Sequence, residues 1–356
     1  MRELNKNHFV LVVNTGSTST KLSFFSDAEQ IASATIQHKP DELDRFGNIW
    51  EQFSFRSSIA SNWLSELEQP PSAVVGVGGL IKSLAGGTYR VNDRMIADAH
   101  ANLQGEHVSN LGCAIAKSLA DEYDCPAFVV DPVSVDEFEV LARYSGHPLI
   151  TRRSLSHALN IHSVSRLAAA KIGKGVSETS FVVAHLGGGI SVAPVKRGKI
   201  IDANDASSDG PFSPERSGGL PLQQLIGICF SGDFSEQEIR KMVMGKGGLT
   251  AYLGTNSARE VEDRIAKGDD GAREIYEAMA YQISKEIGAM ATVLKGELDG
   301  IVLTGGLAGS KRLVKWIEER VRFIAPVHVF PGEDEMKSLA LGALRVLRGE
   351  EEIMEY

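Results

Sequence analysis

Residues 9–25 read FVLVVNTGSTSTKLSFF. An apolar, β-branched run meets a Gly/Ser/Thr loop, and the chain leaves that loop through a second apolar run. A loop of this composition followed by Lys21 has the chemistry of a phosphate cradle. Its spacing excludes a P-loop, because G-x-x-x-x-G-K-[ST] must lead into a helix. Here Lys21 follows Thr20 with no second glycine, and KLSFF continues as a strand. The stretch therefore predicts a β-hairpin with Asn14–Thr20 at its tip, and Lys21 becomes a solvated strand charge.

The pattern recurs in SFVVAHLGGGISVAPVKRGKIID at 180–202, where Phe181–Ala184 form a strand, Gly187–Gly189 a loop and Ile190–Val195 the returning strand. Asn14 corresponds to His185 and Gly16 to Gly187 at one constant offset, which is what two domains built on one plan produce. Short buried strands follow each hairpin: SAVVGVGG (72–79) and PAFVVDP (126–132), then GIVLTGG (300–306) and APVHVFPG (325–332). Helical periodicity covers GCAIAKSLADEY (112–123), SHALNIHSVSRLAAAKI (156–172) and GAREIYEAMAYQISKEIGAMATVLKG (271–296). The expected class is α/β with mixed sheets, divided as residues 1–145 with 337–356 and residues 146–336.

Composition narrows the function. With 43% apolar and 23% charged residues among 356, the chain is globular, and its net charge of −9 argues against a duplex-binding surface. No nucleic acid partner is expected. Cys113, Cys125 and Cys229 are too few and too scattered for a disulfide framework or a metal-binding Cys pair. No run approaches the ~20 apolar residues of a spanning helix, so no membrane association and a cytoplasmic location are expected. Between Asp202 and Pro221, DANDASSDGPFSPERSGGLP is a long Asp/Ser/Gly/Pro segment with Arg216 as its one cation. Loops of that length are commonly functional, and a guanidinium is the preferred fork for carboxylate or phosphoryl oxygens.

Nine segments in order, NTGSTSTK, GEHVSNLG, VDPVSVDEFE, SHALN, AHLGGGISV, DGPFSPERSGG, GGLTAYLGTN, IVLTGG and PGEDEMKSLALGALRVLRGEE, together resemble the butyrate kinases. These are a group within the acetate kinase family of the actin, sugar kinase and Hsp70 superfamily. The resemblance runs from about Phe9 to Glu351. It implies two similar ribonuclease H-like domains with an intervening nucleotide cleft. It also implies reversible transfer of the γ-phosphoryl group of ATP to butyrate, giving butyryl phosphate and ADP, with Mg²⁺ as cofactor and a homodimer or higher homo-oligomer. A carboxylate acceptor is already ionised near neutral pH and needs no general base. It needs cations and hydrogen-bond donors that overcome repulsion between anions and stabilise the transferring oxygens.

By resemblance the catalytic residues are Arg216, His157, His185 and Asn14, with His107 and Asn110 on the acceptor side. Ser17, Ser19, Gly187, Gly188 and Gly189 fall to the phosphates, and Arg259, Gly305 and Gly306 to the adenosine. Asp131, at a strand end before Pro132, and Glu335 are the metal carboxylates; Glu333 and Asp334 beside Glu335 are read as charges at a helix N-terminus. The helix around 272–295 carries Tyr276, Met279, Ile283, Ile287 and Met290 at helical spacing, a core pattern at which the resemblance also suggests a dimer surface. Two positions depart from the family pattern: Val77, where an arginine is expected, and Ser257, where an aspartate is. They leave a second reading open, a weakened nucleotide-binding paralogue acting as sensor or interaction protein. A branched-chain or other short-chain acid as acceptor would differ only in pocket shape.

Overall fold

The computed structural model describes residues 7–332 and 334–356; Glu333 lies outside them. The chain forms two compact units, residues 1–135 with 334–356 and residues 136–333. In the first, β1 (Phe9–Thr15), β2 (Ser19–Ser26), β3 (Glu29–Gln37), β4 (Ala73–Gly76), β5 (Thr88–Arg90) and β6 (Ala127–Val130) appear in chain order. In the second come β7 (Ser180–Leu186), β8 (Ile190–Lys196), β9 (Lys199–Ile200), β10 (Gly300–Gly305) and β11 (Val327–Pro331). The helix Glu335–Leu347 and β12 (Met354–Glu355) then return to the first unit.

The two sheets share a plan. The first runs β3-β2-β1-β4-β6-β5-β12 and the second β9-β8-β7-β10-β11. In each an antiparallel meander (β1–β2–β3, β7–β8–β9) is extended by parallel strands (β4 and β6, β10 and β11). Asn14 and His185 occupy the same place, the penultimate residue of a seven-residue strand. The opening stretch is thus an antiparallel hairpin, with Asn14 opposite Lys21 and Lys21 exposed.

Runs such as Val10–Val13 and Phe181–Ala184 are wholly buried, because sheet faces covered by helices on both sides demand continuous apolar strands rather than alternation. In the first unit Leu11, Val13, Phe24 and Val74 pack with Leu64, Leu111, Ile115 and Leu119. Each such side chain contributes roughly 1.5–3 kcal/mol by leaving water. The closing helix fits against β6 through Gly342, where a Cβ would fall 2.4 Å from a Val130 methyl.

In the second unit the long helix Asp270–Val293 buries Tyr276, Met279, Ile283 and Ile287 completely among β7, β8 and β10 residues. This stripe is core, as its spacing predicts, and its side chains offer no surface to a second chain. Residues 136–145, expected in the first domain, group with the second. They are tied to it where the Glu139 N–H donates to the Ile201 carbonyl and the Ile200 N–H to Glu137 Oε2.

Candidate active site

The second unit gathers most of the expected catalytic groups around the hairpin β7–β8. His157 immediately precedes the helix Ala158–Lys171, and its ring stacks on that of His185 with centroids 3.8 Å apart and planes 13° from parallel. Both rings are held from behind: His157 Nδ1 lies 2.9 Å from Ser191 Oγ, and His185 Nδ1 lies 2.9 Å from Asn160 Oδ1. Burial lowers the pKa of His157 to about 4, with the positive charge of Arg216 acting the same way. Burial, then His157, lowers that of His185. Both rings are therefore neutral near pH 7. Where the Ser191 hydroxyl donates to Nδ1, the one proton of the neutral His157 ring lies on Nε2, a hydrogen-bond donor without charge.

Arg216 completes the group. Its backbone bridges Met244, and its N–H donates to Ser213 Oγ at 3.2 Å. Its guanidinium donates through Nη1 to the Ala206 carbonyl at 2.9 Å. It also lies directly on Gly189, where a Cβ would sit 2.3 Å from Nη1. Glycine at 189 is thus a requirement of the arginine's position. Gly187 meets a related demand, since a Cβ there would lie 2.9 Å from His185 Nε2.

The segment 202–221 contains no helix or strand, yet Ala203, Asn204, Asp205, Ala206, Phe212 and Ser213 are buried. Asn204 ties it to β8, accepting the Val192 N–H at 2.6 Å and donating to the Ile190 carbonyl at 2.9 Å. The loop therefore holds Arg216 in a fixed backbone.

A pocket of about 230 Å³ opens beside this group, lined by Gly187, Gly188, Pro214, Glu215, Asn256, Gly306 and Leu307. Gly305, at φ 86°, turns the end of β10, and a Cβ there would lie 2.5 Å from the Leu186 carbonyl. Arg259 stands exposed on the first turn of the helix Ala258–Ala266, outside this lining. Ser257 caps that helix by accepting the Glu260 N–H. The cap is a task serine and aspartate perform about equally well.

In the first unit Asn14 donates through Nδ2 to Glu335 Oε2 at 2.6 Å. Ser17 is exposed and Ser19 buried at the tip of the same hairpin. Asp131 is buried at φ 40°, a strained left-handed backbone that Asp tolerates better than most residues; its Oδ1 accepts the Gly87 N–H at 2.7 Å. His107 caps the turn Val108–Asn110, its Nδ1 2.8 Å from Ser109 Oγ. The Asn110 amide is committed to its surroundings, accepting the Leu80 N–H and donating to Asn102 and Gly105. That geometry holds a loop rather than presenting a free amide. Val77 continues from β4, its N–H on the Val13 carbonyl, and Gly112 packs against it. Among the described residues no group of three or more His, Cys, Asp or Glu is placed to enclose a metal.

A family model described as the acetokinase family matches residues 138–323, just over half of the chain. The chain belongs to that family. Among acetokinase relatives, butyrate kinase 2 of Clostridium acetobutylicum is 48% identical over 351 residues, covering 98% of this chain and 99% of its own. Probable butyrate kinase 2 of Caldanaerobacter subterraneus is 50% identical over 347 residues, 96% of this chain and 98% of its own. The fold matches Porphyromonas gingivalis acetate kinase with a TM-score of 0.76 at 18% identity, covering 96% of this chain and 100% of that one. The enzyme is thus a carboxylate kinase, a phosphotransferase of the acetokinase family with an α/β fold of two mixed sheets.

Several residues that shape the site were not singled out in the sequence. Asn160 and Ser191 orient the two histidine rings; each sits within a quoted motif, but only the fold shows which ring it meets. Arg56, on the helix Phe53–Ser65, is fully buried beneath the first hairpin. Nothing in FSFRSSIA distinguishes it from an ordinary surface cation.

Proposed function

We propose that the protein is a butyrate kinase, transferring the γ-phosphoryl group of ATP reversibly to butyrate. The observation that carries this is the near-full-length identity of about one residue in two to butyrate kinases. The Arg216–His157–His185 group seated on the glycine hairpin agrees with it. One carboxylate oxygen attacks the γ-phosphorus, the bond from that phosphorus to the bridging oxygen of ADP breaks, and an acyl phosphate forms. Arg216 supplies charge to the equatorial oxygens and the neutral His157 donates a hydrogen bond to them, both favouring the transition state over the ground state. His185 braces His157. Asn14, Ser17 and Ser19 in the first hairpin and Gly187–Gly189 in the second offer amides and hydroxyls to phosphates. Gly305, Gly306 and Arg259 belong to the adenosine side and His107 to the acceptor side, where the buried Asn110 holds the loop instead of meeting the acceptor.

Mg²⁺ is the proposed metal, held by Asp131 and Glu335. Their hard carboxylate oxygens suit it, and a cation that rests on one or two carboxylates, water and phosphate needs no larger protein cluster. When bound it offsets charge on the β- and γ-phosphates. A cytoplasmic, homo-oligomeric enzyme completes the reading; no described helix is long and apolar enough to cross a membrane, and cell fractionation checks the location.

The test is an acyl hydroxamate assay with ATP, Mg²⁺ and acetate, propionate, butyrate, isobutyrate and valerate. Product with butyrate, lost on chelation and restored by Mg²⁺, is expected. One methyl group is worth about 1–3 kcal/mol of discrimination, so neighbouring acids should react more slowly. ATP binding without product from any acid would leave the chain a nucleotide-binding paralogue, as the departure at Val77 would allow.

A further inference from the structure

Arg56 breaks a general rule: arginine is almost never fully buried without an ionic partner. Its side chain is inaccessible to solvent, and it makes no ion pair among the described residues. Its donors go to neutral acceptors under the tip of the first hairpin. Nη1 reaches the Gly16 carbonyl at 3.0 Å, the Ser19 carbonyl at 2.9 Å and Thr20 Oγ1 at 3.1 Å. Nη2 faces the Ser17 carbonyl at 3.5 Å, and Nε donates to Gln52 Oε1 at 3.0 Å. Thr20 Oγ1 also meets His38 Nε2, 2.8 Å away. Burial, then the charge of Arg56, lowers the pKa of His38 and favours its neutral ring. A second charge is not added.

The peptide group is planar and trans, so a carbonyl drawn to one side turns the next residue's N–H to the other. With the Gly16 and Ser17 carbonyls directed at the guanidinium, the N–H groups of Ser17 and Thr18 face away from it. No described residue accepts from either N–H, and both residues are exposed. Two successive outward amides above a buried, uncompensated cation form a place for an anion.

We infer that Arg56 is a positioning residue for phosphoryl transfer: it pulls the hairpin carbonyls inward, so that the Ser17 and Thr18 amides and its own field hold a nucleotide phosphate. This rests on the reading of the first hairpin as phosphate-facing. Arg56 touches no substrate itself. It acts through the loop, which separates it from residues such as Arg216.

The test compares wild type with Arg56→Gln, Arg56→Lys and Thr20→Val. Circular dichroism and thermal melting establish folding, calorimetry gives ADP affinity, and initial rates give KM for ATP and for butyrate. Arg56→Gln is expected to weaken ADP binding and raise KM for ATP at least tenfold, with KM for butyrate within twofold. Arg56→Lys, which keeps the charge but not the fork, should fall between. A merely structural role would lower the active fraction and leave both KM values alone. That result, or a folded Arg56→Gln variant with wild-type ADP affinity, would overturn the inference. Should Arg56→Gln not fold, Arg56→Lys and Thr20→Val carry the same KM comparison, with Thr20→Val expected to raise KM for ATP alone. A wild type that binds ADP but makes no acyl phosphate would remove the kinase reading while the affinity series still judges Arg56. A wild type that binds neither ADP nor inorganic phosphate would overturn both.

Discussion

Arg216 is fixed by its own backbone bridge to Met244, by the Ala206 carbonyl and by the glycine on which its guanidinium lies. Such a group costs no reorganisation when charge develops on the transferring phosphoryl. Arg216→Ala should therefore lower kcat by roughly 10²–10³-fold while the melting temperature stays near that of wild type. A variant with wild-type kcat would remove Arg216 from the chemistry. Arg216 was legible in the sequence because it is the one cation of a long polar loop. Arg56 was not, because its burial under a hairpin forty residues earlier in the chain is a property of packing, and a lone arginine among serines gives no periodic signal.

At the level of elements, strands and hairpins were readable because runs such as FVLVV and SFVVAHL can only be buried strands beside turn-forming loops. Apolar helices were not so easily assigned. The stripe Tyr276–Met290 lies inside the second unit's core, whereas the equally apolar helix Leu222–Cys229 faces solvent, with Leu222 72% and the following Phe230 86% exposed. Hydropathy alone does not separate a helix that packs on its own sheet from one that awaits another chain. Contiguous exposed apolar surface marks association, so this helix is the proposed homo-oligomer contact. Light scattering should find wild type above the mass of one chain and Ile226→Lys shifted towards it. A wild type of single-chain mass, or a variant with unchanged mass, would remove the helix from that role.

Over the whole molecule, the two depressed histidines link the site to acid stability. Unfolded histidine titrates near 6.5, whereas folded His157 does so at about 4. The unfolded chain therefore binds more protons between these values, so stability is complete above about 6.5 and is lost as pH falls towards about 4. The loss is on the order of 3 kcal/mol for His157, and His185 acts in the same direction. Asp209 and Glu286, whose carboxyls burial raises, act with the opposite sign, so the difference between wild type and His157→Gln isolates the histidine. Urea titrations at pH 7.5 and 5 should show a steeper acid loss in wild type; equal slopes would contradict the depressed pKa. The closing helix carries a further consequence, for biosynthesis. Asn14 meets Glu335 across 321 residues of chain, and Gly342 fills the notch beside β6. On the ribosome the contiguous second unit can mature as soon as it emerges, but the first must wait, its β6 uncovered, until the helix Glu335–Leu347 has been made. The nascent N-terminal half is therefore the part that most needs chaperone protection during synthesis.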